Sequence, residues 1–138
     1  MTKTNLTSVD VDALYLGGVA VTATAAELNK SFDYQYELLA TTPVAPSIKN
    51  GVIRIAKTSA GVVTATLAPP VAGTDDFKRL NVINFQTQTN LLIVTEGFGG
   101  AGSGEDTCTF TNVLGSSIEL MAYNGHWYIT GQNNVGVA

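Results

Sequence analysis

Asn124-Gly125 separates two alternating runs within Ser116–Gly131, SSIELMAYNGHWYITG. A two-residue type I′ turn needs φ > 0 at both central positions, and Asn-Gly supplies it. Folding the chain there sets Ala122 opposite Trp127, Leu120 opposite Ile129 and Glu119 opposite Thr130. Side chains alternate between the two faces of a strand. One face therefore collects Ile118, Leu120, Ala122, Trp127 and Ile129; the other collects Glu119, Met121, Tyr123, His126, Tyr128 and Thr130. The first face is wholly apolar and holds the only tryptophan. A slip of one residue would turn Trp127 and Ile129 into water, so the register is strongly specified. The hairpin, with Leu120, Ala122, Asn124, Gly125, Trp127 and Ile129 at its centre, is the expected anchor of a small all-β domain.

Short strands with turn signals between them are expected from Val52 onward, the spacing of a sandwich or barrel. They are 52–57, 62–67, 78–85, 91–96, 107–113, 117–123 and 126–130. Val63, Ala65 and Leu67 share a face opposite Thr64 and Thr66, and Cys108 and Phe110 oppose threonines. Leu91, Leu92, Ile93 and Val94 are apolar on both faces. Such a strand is central or packs on a second copy of the chain, which makes these four the candidate self-association residues. The fold expected is a small antiparallel β-sandwich or barrel-like domain over residues 50–138.

The first 42 residues have a different character and read as an extended arm. Val9, Val11 and Ala13 alternate with Asp10 and Asp12, and Gly17-Gly18 breaks the run that follows. Thr24-Ala25-Ala26-Glu27 fits a capping box ahead of good helix formers, so one short helix is expected near 25–30. Phe32, Tyr34 and Tyr36 alternate with polar residues as in a strand. Pro43 and Pro46 then predict a stiff extended connection between arm and body.

Only 13% of the 138 residues are charged, against the usual quarter, and 14 are glycine. Such a surface suits contact with other copies better than a life as a free monomer. The net charge of −4 offers no basic field for nucleic acid. No apolar run reaches membrane-spanning length, and MTKTNLTSVD lacks the apolar core of a secretory leader. The single Cys108 excludes an intrachain disulfide and a cysteine-rich zinc site. GFGGAG matches G-x-G-x-x-G at Gly97, Gly99 and Gly102, but TCTFTN follows where a dinucleotide site needs a helix, so a loop is the better reading. His126 has no residue to orient it as a base, and Cys108 alternates with Phe110 as a buried thiol would. Asp75-Asp76 and Glu105-Asp106 lack the ligand density of a calcium loop. Tyr123 and Tyr128 with His126 read as cross-strand packing. The expectation is a chain without catalytic residues, metal or cofactor.

Two segments carry a resemblance. LGGVAVTATAAELN at Leu16–Asn29 resembles a stretch that recurs in tailed-bacteriophage virion proteins, notably head and tail fibres and capsid decoration proteins. The ending TFTNVLGSSIELMAYNGHWYITGQNNVGV is similar to their closing hairpin, through Ser117, Leu120, Ala122, Tyr123, Asn124, Gly125, Trp127 and Tyr128. The resemblance implies a homotrimer without enzymatic activity. Size and the lack of a repetitive shaft fit a capsid decoration (cement) protein, made in the host bacterial cytoplasm and placed on the outer capsid surface of the virion. Its partners would be itself and the major capsid protein, with no nucleic acid and no membrane. Candidate capsid contacts are Val9, Val11, Leu14, Tyr15, Leu16, Phe32, Tyr34 and Tyr36. The alternative is a short fibre or spike module that binds a host-surface glycan.

Overall fold

The structure, a computed structural model, describes residues 15–16, 19–20, 33–57, 59–99 and 106–138. The chain divides into two compact units, Met1–Phe32 and Asp33–Ala138. In the first unit β1 (Tyr15–Leu16) pairs antiparallel with β2 (Val19–Ala20), Tyr15 beside Ala20 and Leu16 beside Val19. The helix expected near 25–30 lies outside the described residues, as do Val9, Val11, Leu14 and Phe32.

The second unit is all-β. Its strands are β3 (Gln35–Leu39), β4 (Gly51–Ile55), β5 (Thr64–Leu67), β6 (Arg79–Asn84), β7 (Leu91–Val94), β8 (Thr107–Phe110), β9 (Ser117–Tyr123), β10 (His126–Asn133) and β11 (Val135–Val137). Five form one sheet in the order β10-β9-β6-β4-β3, and four form another in the order β11-β8-β7-β5. Both sheets are mixed, which corrects the expectation of an antiparallel domain. β3 runs parallel to β4, β4 to β6, and β5 to β7. From β4 to β7 the chain alternates between the sheets, so each return lays a strand parallel to an earlier one. Side-chain alternation fixes which face a strand buries but not the direction of its neighbour, so this winding left no trace in the pattern.

Val44 adds a further rung. It forms an isolated parallel bridge with Ala65, donating to Thr64 O at 3.1 Å and accepting from Thr66 N at 2.9 Å. Pro43 has no N–H to extend this pairing, nor has Pro46, so it stops at one residue. The Glu37 carboxylate accepts the Ser47 and Ile48 amides at 2.8 and 3.2 Å, fastening the same segment to β3. The proline segment therefore belongs to the winding and is not a spacer. The sequence-based boundary at 42–50 and the division at Phe32/Asp33 differ because β3 is a full member of the five-stranded sheet. Gly51 permits this junction: its φ is +131°, and a Cβ there would stand 1.9 Å from Gln35 O.

One core lies between the sheets. Ile53, Ile55, Val82, Ile118, Ala122 and Trp127 from the five-stranded sheet meet Ala65, Leu92, Cys108 and Phe110 from the other, all fully buried. Trp127 packs there with its Nε1 donating to Ala68 O at 3.0 Å, so the ring's one polar atom is satisfied. Asn124 and Gly125 make the turn with φ of 48° and 81°. Ala122 pairs with Trp127 and Leu120 with Ile129. The expected Glu119–Thr130 pair is displaced: a bulge at Thr130 brings Gly131 opposite Glu119. β11 was not expected, because three residues are too short for a period to show.

A buried amide cluster joins the sheets at the β6–β7 crossing. Asn84 and Asn90 are fully buried. Asn90 Oδ1 accepts Val63 N–H at 2.7 Å and Asn90 Nδ2 donates to Asn84 Oδ1 at 2.8 Å. Asn84 Nδ2 donates to Thr111 O at 3.2 Å, and Gln86 Nε2 to Lys57 O. Polar groups withdrawn from water must find such partners, and here they fix the crossing loop.

Candidate functional site

The two sheets turn chemically different faces outward. On the four-stranded sheet the outward residues line up in two rows across the strands. One row is Thr64, Leu91, Thr109 and Gly136; the other is Thr66, Ile93 and Thr107. Neither row holds a charge. Of the four candidate self-association residues, Leu92 and Val94 are core, whereas Leu91 and Ile93 stand half-buried on this outer face. The strand is thus central in its sheet and apolar on both sides.

The five-stranded sheet carries aromatic rings and charge on its outer face. Tyr36, Val52, Asn81 and Glu119 form one row, Leu38, Arg54, Ile83 and Ser117 a second, and Arg79, Met121 and Tyr128 a third. Arg54 lies over the Phe85 ring, 4.5 Å from its centroid. Tyr123 meets Phe77 at 5.6 Å between centroids and Tyr128 at 6.4 Å, both tilted, giving a ladder of three rings.

Phe77 is held outward by the backbone. Ala122 N–H donates to Lys78 O at 2.9 Å, and Phe77 N–H donates to Ala122 O at 2.7 Å. Two residues thus stand opposite one, the geometry of a β-bulge, which re-aims a side chain. Phe77 has φ 66° and is 68% exposed. A bulky residue in this region is strained, and strain of this kind gathers at functional positions.

Asp75 and Asp76 fasten the bulge. Asp75 is buried; it accepts Val71 N–H at 2.7 Å and pairs with Lys49 at 3.2 Å and Lys78 at 3.1 Å. Lys78 also reaches Asp33 at 2.9 Å. Burial alone would raise the Asp75 carboxyl, but the Val71 amide, Lys78 and Lys49 outweigh it and hold its pKa below the ordinary 3.8. Asp33 raises the Lys78 pKa above 10.5, against burial and with help from Asp75. Asp76 Oδ1 accepts Asn124 N–H at 2.9 Å, tying the hairpin turn to the same segment. These carboxylates are structural anchors.

Below the ladder lies a cleft of about 200 Å³, lined by Tyr34, Gly51, Arg79, Asn81, Glu119 and Thr130 among others. Tyr34 and Tyr36, two of the capsid-contact candidates, are 62% and 60% exposed at this edge. Tyr15 and Leu16 lie in β1. His126 points outward from β10 while Cys108 points into the core from β8, so the structure does not bring them together. Burial pushes the Cys108 thiol up to about 12, which keeps it protonated and unreactive. In the Gly97–Gly102 loop, Phe98 enters the core and bridges Trp127, while 100–105 lie outside the described residues. No group of three His, Cys, Asp or Glu among the described residues is placed to hold a metal ion.

Comparison with protein-family models and with curated protein sequences gave no match. Sequence reasoning passed over Phe77, Arg79, Asn81 and the amide cluster. Phe77 stands in the charged run DDFKR, where an isolated aromatic shows no period. The run NVINFQTQTN did hold a signal, since three amides between two apolar strands are more than a turn requires.

Proposed function

We propose that the chain is a capsid decoration protein of a tailed bacteriophage, which binds the outer capsid surface as a homotrimer and stabilises the head. The resemblance of Leu16–Asn29 and of the closing hairpin suggests the virion class. The observation that carries self-association is the uncharged outer face of the four-stranded sheet, where Leu91 and Ile93 run between threonine strands. Burying such a face desolvates no ion, so the association loses little to unpaired charge. The first unit, with Val9, Val11, Leu14, Tyr15 and Leu16, is the part we assign to the capsid. Three arms on one trimer raise each other's effective concentration, so weak single contacts suffice. No residue is assigned a catalytic role in this reading.

Light scattering on the full chain, followed by electron microscopy of undecorated capsids mixed with it, tests the reading. The expected result is a trimer in solution and added density at fixed lattice positions. A chain that stays monomeric at micromolar concentration, or capsids that remain bare, would refute it.

A further inference from the structure

At one end of the second unit lie the loops 56–63, 85–90 and 111–116, which join β4 to β5, β6 to β7 and β8 to β9. Hydrogen bonds hold them together. Asn84 N–H donates to Ser116 O and Gly115 N–H to Asn84 O, both at 2.8 Å, and Gln86 Nε2 donates to Lys57 O. The three loops contain no Asp or Glu, while Lys57 lies in the first and Arg54 near the end of β4. Among the described residues Lys49 and Lys78 form ion pairs, and Arg54 and Lys57 form none. Asp33, Asp75, Asp76, Glu96 and Asp106 lie by the opposite ends of the strands, and Glu37 and Glu119 lie within β3 and β9. A chain of net charge −4 thus keeps only cations at one end of its described residues.

The same loops hold apolar side chains in water. Leu114 is 61% exposed and Phe85 45%. A turn holds Leu114 out: Ser116 N–H donates to Val113 O at 3.2 Å, and Gly115 takes φ +84°. Phe85 N–H donates to Ile55 O at 2.9 Å, and the Phe85 ring carries the Arg54 guanidinium 4.5 Å from its centroid. An open depression of about 390 Å³ is lined by Lys57, Ala60, Phe85, Thr87, Gln88 and Leu114 among others.

We infer that this loop end docks an acidic peptide segment of a partner protein, with carboxylates on Lys57 and Arg54 and an apolar side chain between Phe85 and Leu114. Charge complementarity carries the choice of partner. Cations without an acid of their own steer and orient an acidic surface, while the acids at the other end repel it. Lying on the Phe85 ring, the Arg54 guanidinium is placed in advance, so a carboxylate loses little to ordering it. Exposed Phe85 and Leu114 call for an apolar group beside the carboxylates, which a simple inorganic anion lacks. Two cations are too few to hold a run of phosphates, which sets nucleic acid aside. Thr87 and Gln88 offer a hydroxyl and an amide to the peptide backbone. The depression is open, so it suits a chain lying across it better than a small molecule, which pockets enclose. The inference stands on this end alone. It rests neither on capsid decoration nor on the outer faces of the sheets.

The test is an array of short capped peptides in four compositions: Asp and Glu with Phe and Leu, Asp and Glu with Ser, Lys with Phe and Leu, and Ser with Phe and Leu. The array is probed with the full chain, and the best acidic binder is titrated by NMR. We expect the first composition to be retained above the other three, with amide shifts at Lys57, Ala60, Phe85, Thr87 and Leu114. Binding should weaken steadily as sodium chloride is raised. Lys57→Gln and Leu114→Ser should each weaken it about tenfold with little change in melting temperature, since neither side chain is buried. Tyr123→Ala, at the opposite end of the strands, should leave it unchanged. Equal retention of the basic or uncharged peptides, no retention of the acidic ones, shifts elsewhere on the chain, or an affinity indifferent to salt would overturn the assignment. So would a fall in oligomer size on Lys57→Gln, which would make this end a contact between copies.

Discussion

The outer face of the four-stranded sheet and that of the five-stranded sheet are built on one core, yet they share almost no chemistry. The first presents threonine, leucine, isoleucine and glycine in straight rows. The second presents aromatic rings, Arg54, Arg79 and Glu119, with a bulge at Phe77 and another at Thr130. Regular rows make a flat surface that another flat surface can cover. Bulges re-aim side chains and open clefts, which suits a smaller ligand. The difference teaches that the two faces need not compete: one can hold copies of the chain together while the other stays open.

The largest effects strike what the faces share. Trp127→Ala should cost about 3–5 kcal/mol in urea unfolding, since the ring is fully buried in the common core. Both faces would then fail together, and a variant that lost less than about 1 kcal/mol would contradict the packing described. Asn90→Ala should come next. It leaves Val63 N–H without its acceptor, at about 1–3 kcal/mol, while Asn84 Oδ1 keeps the Gln86 amide.

Two further changes separate the faces. Asp75→Asn removes the charge that binds Lys49 and Lys78, and should cost about 1.5–3 kcal/mol. Its effect should reach Phe77 and Tyr123 first and leave the four-stranded face in place, as amide shifts would show. The pH dependence follows from the same group. A carboxylate with a lowered folded pKa stabilises the fold above its unfolded value, and that stability is lost as pH falls through 3.8 and on through the lower folded value. Lys78 acts at the other end: its contribution is complete below 10.5 and disappears as pH rises through its raised folded value. Acid unfolding should therefore be shallower in Asp75→Asn than in the parent, and an unchanged slope would remove Asp75 from the account. The smallest stability change belongs to Leu91→Ser with Ile93→Ser, about 1 kcal/mol or less in the isolated chain at half-buried positions. Under our reading that same pair should reduce a trimer to a monomer by light scattering.

Much of the hairpin was legible because Asn-Gly and a period of two act over a few residues. The buried positions of β5 and β8 were legible for the same reason. Parallel pairing was not, because Gln35 and Gly51, or Thr64 and Leu91, meet only when a crossing between sheets brings them together. The outer face of β7 was legible as apolar, though Leu91 and Ile93 could not be told from Leu92 and Val94 without a phase from neighbouring strands. The cleft was hidden: Glu119 and Thr130 share the hairpin, but Tyr34 and Arg79 come from two other stretches of the chain. Thr130 departs from the expected pairing only because a bulge shifts the register, and nothing in ITGQN marks that bulge.

The winding between β4 and β7 has a consequence for how the second unit comes apart. Because the chain passes repeatedly from one sheet to the other, neither sheet is a continuous segment that can detach on its own. Local opening usually follows contiguous pieces of chain. Here every pair of successive strands from β4 to β7 spans both sheets, so this stretch should open all-or-none, with slow-exchanging amides of β6 and β7 reporting the same free energy. Two faces of opposite character would then be lost at a single denaturant concentration.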